Sequence, residues 1–245
     1  MNPAIRHVLL DIEGTTCPVT FVSDTLFPYA AARMEAFLEA RQGNSTVQNL
    51  LGDLNQAWLA DLDPAARALL DAAPATAKPS ERILPYLHWL MREDRKLTPL
   101  KDLQGLIWEE GYASGDLQGP LFPDVAPALR RWRDAGIRLA VYSSGSVQAQ
   151  QLIYGHSNAG DLRPLFQHWF DTKIGSKHEA KSYQRIVAQL MAEPQSVLFI
   201  SDSLAEVQAA NTSGLAVLLC NRSGSGDDPP NGDGGFAIIR CFEGL

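Results

Sequence analysis

The sequence predicts an α/β fold: a doubly wound parallel sheet with a helical cap inserted after its first strand. Three observations carry that prediction. Short apolar runs end abruptly in polar residues, namely Val8-Leu9-Leu10 before Asp11, Leu139-Ala140-Val141-Tyr142 before Ser143, and Val197-Leu198-Phe199-Ile200 before Ser201-Asp202. Such near-continuous apolar runs are what strands buried on both faces require. Helix-like stretches alternate with them, which is the pattern of βαβ units. More than a hundred residues, rich in Ala, Leu and Arg, separate the first run from the second, far more than one crossover helix needs.

The elements follow in order. After the first strand, residues 24–41, 46–62, 80–95 and 98–112 show helical spacing, with breaks at Gly43, at Ala73-Pro74-Ala75 and at Pro99. They predict a small helical cap over 20–120, with a catalytic core built from 1–19 and 121–245. A helix over 125–135 opens after Pro123-Asp124 and closes at Gly136, and the second strand follows it. Helices over 182–191 and 204–213 suit right-handed crossovers to the third run and to a fourth, 215–220. The segment 223–235 is dominated by Gly, Ser, Asp and Pro and reads as a mobile loop before the short apolar segment 236–239.

Composition narrows the function. The 245 residues supply ample apolar material for a core, so no disulfide or metal staple is needed to fold. A formal charge of -7 and the lack of any Lys/Arg-rich run argue against nucleic acid. A small anionic substrate fits nonetheless, because local cations and backbone N–H groups outweigh a distant net charge. The three cysteines, Cys17, Cys220 and Cys241, have no C-x-x-C spacing and indicate a reducing compartment. No stretch reaches the roughly 20 apolar residues of a membrane span, and the apolar run near the N-terminus is too short for a signal peptide. A monomeric, cytoplasmic protein is the expectation.

In an open parallel sheet, residues at the carboxyl ends of adjacent strands meet in one crevice. Here those residues are Asp11, Glu13, Ser143, Ser144 and Asp202, joined from a loop by Lys177. Together they are the parts that phosphoryl transfer needs: a carboxylate nucleophile, oxygen ligands for a hard cation, hydroxyl donors and one fixed positive charge. Asp11 and Glu13, straight after a buried strand, repel each other unless a cation lies between them. An acidic surface turn is the plainer alternative. Ser143-Ser144-Gly145-Ser146 precedes a helix-like run, so its hydroxyls and N–H groups face a phosphate, or Ser146 is simply a cap. Lys177 has competitors in Lys173 and Lys181. Glu206, one helical turn after Asp202, is either an outer-sphere group of the metal site or a helix-start acid.

These segments, in this order, resemble the phosphatases of the haloacid dehalogenase superfamily. The longer strings Asp11-Ile12-Glu13-Gly14-Thr15-Thr16, Val141 to Val147, Gly155-His156-Ser157, Phe170 to Gly175 and Lys177 are similar to the enolase-phosphatase (acireductone synthase) family of methionine salvage. The resemblance implies a Rossmann-like core of haloacid dehalogenase type and one Mg²⁺ per chain held by Asp11, Glu13 and Asp202. It assigns catalysis to Asp11, Glu13 and Lys177, and substrate binding to Ser143, Ser144 and Lys177. It implies a small phosphorylated diketone substrate, enolised and then dephosphorylated through an aspartyl-phosphate.

The cap string from Leu106 to Gly115 also looks like that family's, although helical spacing alone makes Trp108 and Tyr112 core residues. His156 and His178 are candidates for the enolisation base, with structural roles as the alternative. Another small-molecule phosphatase or phosphomutase would keep the same core residues. A hydrolytic dehalogenase would share Asp11 without needing Glu13 and Asp202, and a non-catalytic binding module would need none of them.

Overall fold

The computed structural model describes residues 4–74, 76–222 and 234–245. Most of the Gly/Asp-rich segment, from 223 to 233, lies outside the described residues. The chain divides into two compact units, one of residues 1–21 and 118–245, the other of residues 22–117.

The chain enters the first unit with β1 (His7–Leu10), every residue of which is buried. The second unit then opens on a π-helical turn, Val22–Leu26, leading into α1 (Phe27–Ala40), whose buried face is Ala30, Met34, Phe37 and Leu38. That i, i+4, i+7, i+8 spacing is what a helix needs to bury one stripe. Asn44 caps α2 (Ser45–Ala60) by accepting the Val47 N–H at 3.1 Å. A short helix, α3 (Pro64–Ala72), was not expected from the apolar pattern. It buries only Ala66, so periodicity gives no signal, but Asp63 caps it and Pro64 opens its first turn. Two longer helices complete this unit, α4 (Pro79–Arg92) and α5 (Thr98–Ser114). Pro99 lies in the first turn of α5, so the predicted break is a helix start. Trp108 and Tyr112 are core, and the Trp108 indole N–H donates to the Leu26 carbonyl at 2.8 Å.

The first unit resumes with α6 (Val125–Asp134), β2 (Arg138–Tyr142) and α7 (Val147–Gly155). Next comes β3 (Phe166–Phe170), a strand the sequence reading had not singled out. Its exposed Gln167 and half-buried His168 and Trp169 interrupt the apolar run, as suits an edge position. The remaining elements are α8 (Ala180–Leu190), β4 (Val197–Ser201), α9 (Leu204–Thr212), β5 (Ala216–Cys220) and β6 (Ile238–Ile239).

Among the described residues the strands form one parallel sheet in the order β3-β2-β1-β4-β5-β6. Leu9, Tyr142, Phe170, Tyr183, Ile186 and Phe199 pack into one core with Ala210. Each large apolar side chain buried there contributes about 1.5–3 kcal/mol. β1 lies between β2 and β4, with Leu10 level with both Val141 and Ile200. The winding direction reverses at that point, which opens a crevice at the carboxyl ends of the strands.

Candidate active site

Asp11 ends β1 and is 4% exposed, with its backbone N–H bonded to the Ile200 carbonyl at 3.0 Å. Lys177 is equally buried, and its Nζ donates to Asp11 Oδ1 at 2.5 Å and contacts Glu206 Oε2 at 2.7 Å. Burial alone would favour the neutral amine. The charges of Asp11 and Glu206 outweigh it and hold Lys177 protonated, above the ordinary lysine range. Lys173 and Lys181, its competitors in the sequence, are both exposed.

The loop carrying Lys177 is fixed at its carbonyls. The Tyr142 hydroxyl donates to Gly175 O at 2.9 Å, Tyr183 donates to Lys177 O at 2.7 Å, and Arg185 donates to Ile174 O at 2.8 Å. Gly175 has φ +143°, and a Cβ there would stand 2.2 Å from Ser182 Oγ, so no other residue fits. Lys177 Nζ lies 5.7 Å from the Tyr142 ring centre.

Asp202 follows β4, with its carboxylate against the backbone of Gly14. A Cβ on Gly14 would lie 2.0 Å from Asp202 Oδ2, and Gly14 itself has φ +68°. The loop after β1 therefore comes within contact of the loop after β4 only because position 14 has no side chain. Asp202 is open to solvent on one side. The protein wall on its other side, and then the charges of Asp11 and Glu206, push its carboxyl up to about 7. Glu206 is 7% exposed and accepts the Ser201 hydroxyl at 2.8 Å. The sequence had left this residue between two readings. The structure puts it on the site lysine, and its only sequence signal was the four-residue spacing from Asp202.

The other predicted residues sit nearby in the topology with looser connections. Ser143 is buried beyond the end of β2, its N–H bonded to Phe170 O at 3.2 Å and its hydroxyl accepting the Gly145 N–H at 3.2 Å. Ser144 is exposed, and Ser146 caps α7 by accepting the Ala149 N–H at 3.2 Å. Glu13 is half-buried in the Asp11 loop, where its backbone bridges to Cys17. His156 caps the far end of α7, about 15 Å along the helix from Ser146. His178 is exposed, and its backbone N–H is bonded to Ser176 Oγ at 3.3 Å.

Two carboxylates, Asp11 and Glu206, thus share a single ammonium group, and the charges of both act on a third carboxylate, Asp202. That excess of negative oxygen donors, felt directly in the raised Asp202, fits a hard divalent cation. Among the described residues no three His, Cys, Asp or Glu side chains make a closed ligand cluster. Mg²⁺ does not require a closed cage of side chains, since it keeps several waters.

Comparison with known proteins agrees with this chemistry. Residues 5–214 match the haloacid dehalogenase-like hydrolase family. The Enolase-phosphatase E1 of Synechococcus sp. (strain RCC307) is 49% identical over 91% of this chain and 87% of its own length. That of Thioalkalivibrio sulfidiphilus is 44% identical over 98% of each. The crystal structure of the UTR4 protein from Saccharomyces cerevisiae superposes with a TM-score of 0.79 at 30% identity, covering 98% of this chain and all of that one. With a buried aspartate–lysine pair at a strand end and these relatives, the chain belongs to the haloacid dehalogenase-like hydrolases, in the enolase-phosphatase family.

Proposed function

We propose that this protein is the enolase-phosphatase of L-methionine salvage. It converts 2,3-diketo-5-methylthiopentyl-1-phosphate to the acireductone 1,2-dihydroxy-3-keto-5-methylthiopentene and phosphate, as a Mg²⁺-dependent cytoplasmic monomer. The carrying observation is the buried Asp11–Lys177 pair at the switch point of the sheet, with Asp202 pressed against Gly14. Residues 22–117 are read as the cap; that unit lies within the 20–120 expected from sequence.

Asp11 attacks phosphorus in line, its Oδ forming the new P–O bond as the bond to the substrate oxygen breaks. Lys177 neutralises part of the charge that builds as two anions meet, and Ser143 and Ser144 donate to the phosphoryl oxygens. Once the substrate is enolised its leaving oxygen is an enolate, a weaker base than an alkoxide, so it departs without first taking a proton. Water then attacks the aspartyl-phosphate and its proton passes to the enolate just released, so that phosphate leaves and Asp11 is restored. Asp11 and Asp202, with Glu13, would hold Mg²⁺, which when bound screens the approach of carboxylate and phosphate.

The test follows enol absorbance and free phosphate together on the diketo phosphate with Mg²⁺, beside an Asp11→Asn variant and an EDTA control. Metal-dependent phosphate release with acireductone formation, absent in the variant, is expected. Release from generic phosphoesters but none from the diketone would keep a phosphatase and discard this substrate.

A further inference from the structure

Arg222 lies two residues beyond β5, at the same carboxyl edge of the sheet as Asp11 and Asp202, and nothing in the chemistry above uses it. Its side chain is 9% exposed. The Nε–H donates to the Thr15 carbonyl at 2.9 Å, while Nη1 donates to both oxygens of Asp124 at 2.7 and 2.8 Å and to Arg240 O at 3.4 Å. The guanidinium stands 4.6 Å from the ring centre of Phe122 and 4.6 Å from that of Phe242. Asp124 is tied in turn to the Phe242 N–H at 2.6 Å.

The Asp11 loop explains why such an anchor matters. The N–H groups of Thr15, Thr16 and Cys17 all turn inward to the one carbonyl of Ile12, at 3.2, 2.9 and 2.9 Å. A turn wound this tightly leaves the carbonyls of Thr15 and Thr16 needing partners from elsewhere. Thr16 O takes the Phe122 N–H at 3.1 Å, and Thr15 O takes Arg222. Both anchors meet at one place, since the Phe122 ring also stacks on Arg222.

We propose that Arg222 is a positioning residue for the reaction. By holding the Thr15 carbonyl it sets the angle at which the turn presents Asp11 and Glu13 to the phosphoryl group. A guanidinium suits this task because its carbon packs 4.6 Å from the centre of each of two rings while its N–H groups donate in fixed directions to Thr15 O and Asp124. A lysine would keep the charge beside Asp124 but lose the ring packing and the Nε–H donor. The proposal rests on the enolase-phosphatase reading for its kinetics, though not for its structural consequence.

Two variants test it, Arg222→Lys and Asp124→Asn, each read by hydrogen exchange of the Asp11-loop amides without substrate and by kinetics on the diketo phosphate with Mg²⁺. In Arg222→Lys the amides of Thr15, Thr16 and Cys17 should exchange roughly tenfold faster. Its kcat should fall about tenfold to a hundredfold, with KM within about twofold of wild type. Asp124→Asn keeps the Thr15 bond and the stacking, so its loop exchange and kcat should stay within about twofold of wild type even where its melting temperature drops. Wild-type exchange and kcat in Arg222→Lys would overturn the proposal, and so would equal changes in the two variants, which would make Arg222 only part of the clamp on Phe242. If the wild-type protein does not turn over the diketo phosphate, the functional reading fails, while the exchange comparison still decides the role of Arg222.

Discussion

Lys177 shows how much one side chain decides at this site. Its ammonium separates two carboxylates that are nearly as buried as itself, Asp11 and Glu206. Lys177→Met should therefore destabilise the metal-free protein by about 3–5 kcal/mol, because it leaves like charges together without a counterion. Urea unfolding measures this, and saturating Mg²⁺ should recover part of the loss by supplying the missing positive charge. A loss as small as that of an ordinary surface lysine would mean that the pair is not buried as described. Asp11 and Asp202 were legible in the sequence because each stands at the point where an apolar run stops. Lys177 was singled out by its place in the family string, since local pattern alone does not separate it from Lys173 and Lys181, and burial now does. Glu206 carried no more than a spacing.

Among the elements, α8 illustrates a local choice overridden by the fold. It ends in Met191, which is 88% exposed and holds the left-handed conformation, φ 51° and ψ 45°. A side chain with a Cβ is strained there, and glycine is the usual solution at such a helix end. Met191→Gly should stabilise the protein by about 0.5–1 kcal/mol, since relief of strain exceeds the added chain entropy. A scanning-calorimetry midpoint raised by roughly 1–4 °C would match that gain, and a lowered midpoint would show that Met191 makes an unrecognised contact. Elements with an unbroken apolar run or a clear stripe, such as β1, β4 and α6, were legible. α3 was hidden because it buries a single alanine, and β3 because an edge strand keeps polar residues on its open face.

Across the whole molecule, His7, in the central strand, makes one contribution to the pH response of the fold. It is 6% exposed, and neither ring nitrogen has a hydrogen-bond partner among the described residues. Burial first, then the charges of Arg138 and His168, hold its pKa below the ordinary 6.5. As pH falls through 6.5 the unfolded chain takes up a proton that the folded protein refuses, so stability declines until the lower folded value is reached. His7→Leu should flatten that acid limb of the stability curve in denaturant titrations, and an unchanged slope would assign the limb to other groups. Legible in the amino-acid order were the α/β alternation, the insert after the first strand and the strand ends that carry the candidate site. Those follow from local rules: apolar run length, helical period and the switch from apolar to acidic at one position. The fold was needed to show that Lys177 contacts Asp11, that Glu206 shares it, that Gly14 admits Asp202, and that Arg222 bonds the Thr15 carbonyl in the loop after β1. These are contacts between residues far apart in the chain, and no local pattern encodes a distance that exists only once the sheet has brought its strand ends together.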